Sequence, residues 1–321
     1  MQGVILAAGK GSRLHPVTAD RSKAMAPVAG KPILGRVVDL LAENGVRDFV
    51  VVVSEAEQDI PGYLQSRSAE GLHFDLVTQA ERLGMGHALG MAAKHIVGDF
   101  LLVACDSLVP SDHLRELLEH HRSTTANATL CLMELEPHRV VEYGIVDLKD
   151  GKIERIVEKP RIEEAPSNIG SLPFYVFSRR LLDYLPEVKP SPRGEYELQD
   201  AIQMLIEREG HVTGVFTSHR DEITRVDDLL TLNRSFLNGN DTVGSSEGID
   251  PSVTILPPVS IAEGTVIDAD CTIGPCVTIE ESCHVKTGSH IEDAIILRNS
   301  VVPAGSHVKS EVFLPPHLAD V

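Results

Sequence analysis

The sequence predicts an α/β protein in which a doubly wound, mostly parallel sheet is followed by a short parallel β-helix. Two observations predict this order. In the first half of the chain, short β-rich runs alternate with amphipathic segments of helix length, the pattern of βαβ units and a parallel sheet. After residue 250 the apolar residues recur at every sixth position, which is the period of a parallel β-helix.

Four runs in the first half are predicted strands. Two of them contain continuously apolar stretches, Val50–Val53 and Leu101–Ala104, as expected of strands that helices cover on both faces. The four predicted strands are Gly3–Ala7, Phe49–Val53, Phe74–Thr78 and Phe100–Ala104. Segments between and after these runs repeat apolar residues at helical spacing. They predict helices over Ile33–Glu43, His87–Lys94, Asp112–Arg122, Tyr196–Glu209 and Asp227–Leu237.

The stretch Asn238–Asp250 is a predicted linker. It is rich in Gly, Ser, Asn and Asp and carries almost no apolar side chains, so it divides a predicted large domain, residues 1–237, from a small one, residues 251–321. Beyond the linker, large apolar residues occupy one hexapeptide register without a miss: Ile255, Ile261, Ile267, Ile273, Ile279, Val285, Ile291 and Leu297. This period predicts a β-helix with three flat faces per coil.

A second register, two positions earlier, holds small or β-branched residues. Because Cys271 and Cys283 belong to this inward register, we interpret them as packing residues rather than as redox or metal-binding groups. About three coils fit before the end of the sequence. The ends of a β-helix are open strand edges, so we expect them to pair with other copies and give a homo-oligomer.

Length and composition favour a two-domain cytoplasmic protein. The 321 residues exceed one typical domain, and the formal charge of -18 disfavours nucleic acid or an anionic membrane as a partner. Five cysteines without a Cys-x-x-Cys pair argue against a disulfide framework or structural zinc. No segment has the length and apolarity of a membrane span, and the residues after Met1 lack the features of a secretory signal, so we expect the fold to begin near residue 1. The adjacent histidines His120 and His121 are predicted to be solvated rather than metal ligands.

The first predicted strand leads into a glycine-rich turn with basic residues, Leu6–Leu14. Glycines let backbone N–H groups approach phosphate oxygens, and Lys10 and Arg13 can supply countercharge. The spacing fits neither the Walker loop nor the dinucleotide fingerprint, because Leu14 stands where the last glycine would be. Taken alone, the turn is either a tight structural turn or a phosphate site.

The sequence that follows the turn narrows this choice. Lys23-Ala24-Met25-Ala26-Pro27-Val28-Ala29-Gly30-Lys31-Pro32 extends the turn into a motif that resembles the sugar-1-phosphate nucleotidylyltransferases, which make UDP-, dTDP-, ADP- and GDP-sugars. The resemblance covers about residues 1–237 and implies a Rossmann-like nucleotidyltransferase fold; the repeats resemble the hexapeptide domain of some members, which implies a left-handed β-helix. Further matches follow in the family's order: Gln79–Leu89, Asp106, Tyr143–Val146, Glu158–Pro160 and Gly194–Ile202.

The resemblance implies a donor site for a nucleoside triphosphate. Arg13 and Lys23 would hold the triphosphate and stabilise charge on the α-phosphoryl group and the departing pyrophosphate. Asp106, at the end of a buried strand, would coordinate Mg²⁺ that bridges the phosphates. An amide and a close backbone would contact the base. The candidate nucleotide-binding residues are Leu6, Ala8, Gly9, Gly11, Ser12, Gln79, Gly84 and Met85.

The resemblance also implies an acceptor site for a sugar 1-phosphate. Lys159 would bind the phosphate, Glu158 would accept hydrogen bonds from sugar hydroxyls, and Gly144 would let the ring approach. Ser171 and Tyr175 complete the candidate set. The acceptor phosphate is already anionic, so one of its oxygens can attack the α-phosphorus in line and no covalent nucleophile is needed.

Three parts of the sequence depart from the family's pattern. Where many relatives read Asn-x-Gly-x-Tyr, this chain reads Ser171-Leu172-Pro173-Phe174-Tyr175, and the proline removes a backbone donor. Glu222 aligns best with the second metal carboxylate, with Asp227 as the alternative, although Asp227 can instead cap the helix that begins there. Met85 replaces a threonine found in many uridylyltransferases. The base is therefore left open between UTP and dTTP, with UTP slightly ahead.

Two other functions compete with this interpretation. The β-helix could acetylate an amino sugar, with His284, His290 or His307 as a base, but it is short for such a site. The chain could also be an inactive regulatory subunit in which the departures are erosion. The presence of Arg13, Lys23, Asp106 and Lys159 favours catalysis, since a degenerate site has no physical need for that set.

Overall fold

The computed structural model describes residues 1–237, the backbone of 242–243, and residues 247–318. These residues group into two compact units. The first unit comprises Met1–Gly9 and Val37–Asp221, and the second comprises Lys10–Arg36 together with the chain from Glu222 onwards. The segment Lys10–Arg36 is therefore in the same compact unit as the C-terminal repeats. This grouping by compactness does not test the domains predicted from the sequence, residues 1–237 and 251–321, so they stay a prediction.

The strands before the repeats follow in chain order. They are β1 (Gln2–Leu6), β2 (Pro27–Val28), β3 (Lys31–Pro32), β4 (Asp48–Ser54), β5 (His73–Gln79), β6 (Phe100–Ala104), β7 (Ser107–Leu108), β8 (Ala128–Glu134), β9 (Gly144–Lys149), β10 (Lys152–Glu158), β11 (Ile169–Phe177), β12 (Val212–Phe216) and β13 (Asp221–Glu222). The α-helices are α1 (Ile33–Glu43), α2 (Asp59–Arg67), α3 (Met85–Ala92), α4 (Ser111–Thr124), α5 (Leu198–Arg208) and α6 (Val226–Leu237).

Nine of these strands form the sheet of the first unit, in the order β5-β4-β1-β6-β11-β8-β12-β10-β9. The first four are parallel, which confirms the predicted doubly wound half. The remaining strands pair mostly antiparallel. Pro173 lies where β11 changes register against β8, between Leu172 and Tyr175, a position at which a missing backbone donor is tolerated.

The predicted strands of the first half are confirmed. Four of the five predicted helices begin one or two residues from the predicted start, and α2 was not predicted. Helix α3 begins at Met85, two residues before the predicted start. Helix α5 begins at Leu198 and not at Tyr196, because the backbone of Tyr196 is engaged elsewhere: its N–H donates to Leu83 O at 2.7 Å, and its carbonyl accepts from Gly86 N at 2.9 Å. Among the described helices, none is long and apolar enough to span a membrane.

The prediction that His121 is solvated is wrong. Its side chain is buried, and Nδ1 lies 3.0 Å from the hydroxyl oxygen of Thr129 on β8. His113, Leu117 and His121 are spaced four residues apart on the buried face of α4, so His121 faces the sheet. Burial lowers the pKa of His121, which therefore favours the neutral imidazole.

The repeats fold as a left-handed β-helix of three parallel sheets. Their strands are β14 (Thr242–Val243), β15 (Thr254–Ile255), β16 (Val259–Ile261), β17 (Val266–Ile267), β18 (Thr272–Ile273), β19 (Val277–Ile279), β20 (His284–Val285), β21 (His290–Glu292), β22 (Ile295–Ile296), β23 (Val301–Val302), β24 (His307–Lys309) and β25 (Val312–Phe313). The sheets run β14-β16-β19-β22-β25, β15-β18-β21-β24 and β17-β20-β23. Cys271 and Cys283 are buried among the inward residues, as predicted.

The hexapeptide register holds to Ile291 and then shifts. Val259 pairs with Val277, but Thr278 pairs with Ile295, so the later coil is one residue shorter. Ile296, rather than the predicted Leu297, is the strand partner of Ile279, although both side chains are buried. Sequence periodicity alone does not show which residue of a shortened coil enters the strand.

The described part of the predicted linker belongs to the first coil. Strand β14 pairs with Ser260–Ile261, and Asp250 N–H donates to Ile267 O at 2.9 Å. The other residues of the predicted linker, 238–241 and 244–246, lie outside the described residues. The segment whose polar composition predicted a linker therefore continues the parallel strand pairing of the β-helix, where the structure describes it.

Candidate active site

The carboxyl end of β1 is held by backbone hydrogen bonds and one arginine. Cys105 N–H donates to Leu6 O at 3.2 Å, and Ala7 N–H donates to Val52 O at 2.7 Å. The Nε of Arg82 donates to Ala8 O at 2.8 Å. Gly9 follows, with no atom near the place of a Cβ. The predicted phosphate turn thus starts from a fixed strand end, and Arg82, which sequence reasoning did not single out, helps to hold it.

Gln79 ends β5 and is 3% exposed. Its Nε2 donates to Gly84 O at 3.3 Å and lies 2.9 Å from His87 Nδ1. Both amide hydrogens therefore have neighbours within the protein, and Oε1 is the remaining hydrogen-bonding group of the side chain, an acceptor. Gln79, Gly84 and the start of α3 at Met85 are brought together, as the predicted base site requires.

A side chain at position 84 would clash with a second motif of the chain. The φ of Gly84 is +100°, and a Cβ there would lie 2.8 Å from Tyr196 O. The same carbonyl accepts from Gly86 N–H at 2.9 Å. The Gln79–Leu89 and Gly194–Ile202 motifs therefore meet at the backbone of Tyr196. This contact explains the glycines without any ligand, so the contact of Gly84 with a base stays a prediction.

Asp106 lies two residues beyond β6, at the carboxyl end of a parallel strand. Ser107 Oγ lies 3.5 Å from Asp106 Oδ1 and accepts a hydrogen bond from Arg220 NH2 at 2.9 Å. The Arg220 guanidinium also lies 5.5 Å from the centroid of the Tyr143 ring. Among the described residues, no three His, Cys, Asp or Glu side chains form a ready-made metal cage. A single half-buried carboxylate still fits Mg²⁺, which commonly binds one or two carboxylates plus phosphate oxygens and water.

The alternative helix-cap role of Asp227 is wrong. Helix α6 begins at Val226, and the carboxylate that accepts the nearby N–H groups is that of Asp228, from Thr224 and Arg225, both at 2.7 Å. Glu222 is the second residue of the short strand β13, and the second unit resumes at this residue. Its role as second metal ligand stays a prediction.

Gly144, Ser171 and Tyr175 form one buried contact. Gly144 pairs with Ser171 across β9 and β11, and a Cβ on Gly144 would lie 2.9 Å from Ser171 Oγ and 3.1 Å from Gln199 Cγ. The Tyr175 hydroxyl lies 3.4 Å from Ser171 Oγ, and its ring is 1% exposed. Burial raises the pKa of Tyr175. All three lie within the protein, so their contact with a sugar phosphate stays a prediction.

Glu158 ends β10, and Lys159 follows it; the two residues lie in a cluster of charges. The Glu158 side chain is 12% exposed, and its Oε1 lies 3.3 Å from Lys159 Nζ and 3.4 Å from Arg193 NH2. Its Oε2 is buried and has no hydrogen-bond partner among the described residues. Burial raises the pKa of Glu158, and Lys159 opposes that rise. Lys159 has a φ of +42°, a conformation that costs energy and is common at functional sites.

Arg193 joins this cluster to Glu197 and was missed from the sequence. Its NH2 donates to Glu197 Oε1 at 2.8 Å, and Ser191 Oγ donates to the same oxygen at 2.6 Å. Arg193 directly precedes the Gly194–Ile202 motif, which was the available signal. Lys159 and Arg193 place two cations beside one buried carboxylate, an arrangement that can bind an anion and a hydroxyl together.

The remaining predicted residues lie in the second unit. Gly11 has a φ of +64°, and a Cβ there would lie 2.8 Å from Lys23 Cβ. Thr18 Oγ1 donates to Gly11 O at 3.0 Å. Short 3₁₀ helices, Ser12–Leu14 and Lys23–Met25, follow Gly11 and end the loop. The structure thus brings Lys23 against the Gly11 turn, while Ser12 and Arg13 are exposed.

The Lys10–Arg36 segment packs on the β-helix. Asn233 of α6 is buried; its Oδ1 accepts from Ala29 N–H at 3.2 Å and from Thr278 Oγ1 at 2.6 Å. Its Nδ2 donates to Cys276 O at 3.3 Å. A Cβ on Gly30 would lie 2.2 Å from Ser260 Oγ, so the β2–β3 hairpin meets strand β16 without room for a side chain.

Comparison with known proteins identifies the family of the chain and relatives with a similar fold. The family model described as nucleotidyl transferase matches residues 2–238, and that of the GMPPB C-terminal domain matches residues 233–313. The bifunctional protein GlmU of Methanococcus maripaludis is 30% identical over 97% of this chain and 77% of its own length. The UTP–glucose-1-phosphate uridylyltransferase AglF of Haloferax volcanii is 37% identical over 64% of this chain and 84% of its own. A crystal structure of a putative glucose-1-phosphate thymidylyltransferase from Bacillus anthracis superposes with a TM-score of 0.66 at 26% identity, over 76% of this chain and 98% of that one.

Proposed function

The chain belongs to the nucleotidyl transferase family and is an enzyme, and from that premise we propose that it transfers a nucleoside monophosphate from UTP or dTTP to a sugar 1-phosphate, releasing pyrophosphate. The observation that carries the proposal is the Glu158 cluster. It places a buried carboxylate oxygen that lacks a hydrogen-bond partner beside the cations of Lys159 and Arg193. A sugar hydroxyl supplies the missing donor, and a phosphate matches the cations.

A pyrimidine with a ring N–H suits the base site. The two amide hydrogens of Gln79 are directed at Gly84 O and His87 Nδ1, so Oε1 is the group left to read a base. Uracil and thymine present an N3–H donor to such an acceptor, whereas cytosine presents an acceptor there. UTP is favoured over dTTP because the AglF relative is named for UTP.

Positioning and electrostatics carry the reaction. Arg13 and Lys23 bind the triphosphate and offset the charge that develops on the α-phosphoryl group and pyrophosphate. In a chain of net charge -18, such local cations are what allows two anionic substrates to approach each other. A phosphate oxygen of the sugar attacks the α-phosphorus in line, and the bond to the pyrophosphate oxygen breaks.

Asp106 holds Mg²⁺ in this proposal, with Glu222 as a second ligand. When bound, the cation neutralises phosphate charge and orients the leaving group. We predict that Asp106→Asn lowers kcat by at least about 10³-fold, because an amide is a neutral and weaker ligand. Steady-state kinetics at several Mg²⁺ concentrations measure this, with circular dichroism to check the fold. Full activity of the variant would refute the metal assignment.

Pyrophosphate release tests the function. UTP, dTTP, CTP, ATP and GTP are each paired with glucose 1-phosphate and with amino and acetamido sugar 1-phosphates in the presence of Mg²⁺. We expect release with UTP or dTTP and one sugar phosphate, and little with CTP. No release from any pair, with nucleotide binding intact, would instead support the regulatory-subunit alternative.

The same samples test two further expectations. Acetyl-CoA added to the amino sugar arm, with detection of free thiol, tests the acetyl-transfer alternative. Light scattering tests the homo-oligomer that we propose from the open ends of the β-helix. We propose a cytoplasmic location from the cysteine content. A monomer at working concentration would refute the oligomer without affecting the proposed reaction.

A further inference from the structure

The Lys10–Arg36 segment carries an arginine that the proposed mechanism does not use. Arg21 lies two residues before Lys23, and its side chain is only 2% exposed. Its NH1 donates to both oxygens of Glu280, at 2.7 and 2.8 Å. Glu280 follows strand β19, and its side chain is 13% exposed. A buried ion pair within the second unit therefore joins this segment to the β-helix.

A second arginine strengthens the same attachment. The backbone N–H of Arg298 donates to Glu280 Oε2 at 2.9 Å, and its NH2 donates to Asp20 O at 3.1 Å. The Asp20 carboxylate lies 3.5 Å from Arg21 Nε and 3.8 Å from Arg298 Nε. Glu280 and Arg298 follow the neighbouring strands β19 and β22. Two coils of the β-helix thus hold the backbone at residues 20–21.

This attachment lies next to the residues assigned to the triphosphate. Lys23 is two residues beyond Arg21, and its Cβ is the atom that a Cβ on Gly11 would strike at 2.8 Å. Thr18 Oγ1 binds Gly11 O across the same loop. A shift of Arg21 therefore moves Lys23, and with it the support of the Gly11 turn that leads into Arg13. The packing is close at this point, because there is no room for a side chain between Gly11 and Lys23.

We propose that Glu280 of the β-helix is a positioning residue for nucleotidyl transfer, acting through Arg21 to hold Lys23 and the Gly11 turn in their working geometry. The inference rests on the proposed function. It makes the β-helix a part of the catalytic machinery in addition to any role in assembly. Reacting groups that are misplaced by about 1 Å can lose about 100-fold in rate, so the attachment affects turnover more than substrate affinity.

Glu280→Gln in the full chain tests the proposal, with Asp293→Asn as the matched control. Glutamine keeps the size of the side chain but removes the charge and one acceptor. Asp293 accepts two hydrogen bonds from Arg234, at 2.5 and 2.7 Å, in the same unit but outside the Lys10–Arg36 segment. We expect Glu280→Gln to lower kcat about 10- to 100-fold with the sugar 1-phosphate KM within about twofold of wild type. Asp293→Asn keeps kcat within about twofold of wild type. Equal kcat in the two folded variants would overturn the proposal.

Hydrogen exchange separates this inference from the proposed function. We expect the peptide covering residues 10–25 to exchange faster in Glu280→Gln than in wild type, and to be unchanged in Asp293→Asn. Unchanged exchange in both variants refutes the attachment, whether or not the wild type turns over any substrate pair. Faster exchange with unchanged kcat refutes the positioning role and leaves Glu280 structural. A wild type that is silent on every substrate pair removes the reaction that Glu280 is proposed to serve and so refutes both ideas.

Discussion

Two largely buried glutamates, Glu158 in the first unit and Glu280 in the second, each lie against an arginine, but their oxygens are used differently. Both oxygens of Glu280 accept hydrogen bonds, from Arg21 and from the backbone of Arg298. At Glu158 the neighbouring cations approach Oε1, and Oε2 has no partner among the described residues. A carboxylate with its partners in place holds structure together, whereas one that lacks a partner in a charged pocket is suited to a ligand.

The cations beside the two carboxylates also differ, in their exposure and in their hydrogen bonds. Lys159, beside Glu158, is 41% exposed and has a left-handed backbone conformation. Arg21, beside Glu280, is almost fully buried, and its NH2 has no hydrogen-bond partner among the described residues, so Glu280 is the main group that compensates its charge. One region keeps cations accessible at an energetic cost, and the other uses a cation to fasten two elements.

The largest effect that would test this contrast is expected at Lys159. Lys159→Gln removes the cation proposed to bind the sugar phosphate, and we expect kcat/KM for the sugar 1-phosphate to fall about 10²- to 10³-fold, with the free energy of unfolding changed by less than about 1 kcal/mol. Initial-rate kinetics and urea titration measure the two quantities. Lys152→Gln, an exposed lysine at the start of the same strand, is the control and should keep full activity. A loss shared by both variants would remove the special role of Lys159.

Next in size is the stability of the second unit. Glu280→Ala leaves the Arg21 guanidinium buried without its carboxylate, and we expect the free energy of unfolding to fall by about 3 kcal/mol. Urea-induced unfolding followed by circular dichroism measures this loss. Glu281→Ala is the control, because Glu281 is the next residue and is exposed, so its removal should change the free energy of unfolding by less than about 0.5 kcal/mol. A loss at Glu280 no greater than that at Glu281 would show that the pair does not fasten the segment.

The same contrast shows what could be predicted from the sequence. Parallel strands, their carboxyl ends and the hexapeptide register follow from local periodicity, so β1, β4, β5, β6 and the inward residues of the β-helix were predictable. The family motifs gave Lys159 and Lys23, whose roles stay predictions. The pairing of Arg21 with Glu280 could not be predicted, because the partners are far apart in sequence and neither belongs to a periodic pattern.

The start of α5 illustrates the same limit. The apolar pattern after Gly194 favours a helix from Tyr196, but Leu83 and Gly86 take the backbone groups of Tyr196, and the helix begins at Leu198. His121 is a second case: it was predicted to be solvated rather than metal-binding, but its position on the helix faces the sheet. In both cases a tertiary contact overrides a local preference.

The smallest expected effect concerns the pH dependence of Glu158. Burial holds the pKa of Glu158 above its ordinary value of 4.5, so folding disfavours the ionised form. The stability that this group contributes is present below the unfolded pKa and is lost as the pH rises through the folded pKa. Glu158→Gln therefore removes a cost at neutral pH, and we expect its free energy of unfolding at pH 7 to equal or exceed that of wild type by up to about 1 kcal/mol, while its kcat/KM falls at least about 10-fold.

A pH series connects this prediction to the proposed ligand. We expect kcat/KM of the wild type to fall on the acidic side as Glu158 becomes protonated, at a pH above 4.5, because the neutral acid is a weaker acceptor for a sugar hydroxyl. In Glu158→Gln that acidic limb should be absent. Glu154→Gln, which changes a carboxylate on the exposed side of the same strand, should keep the limb. If the limb persists in Glu158→Gln, or if that variant is destabilised as strongly as Glu280→Ala, then Glu158 is a structural carboxylate like Glu280, and the difference drawn between the two regions does not hold.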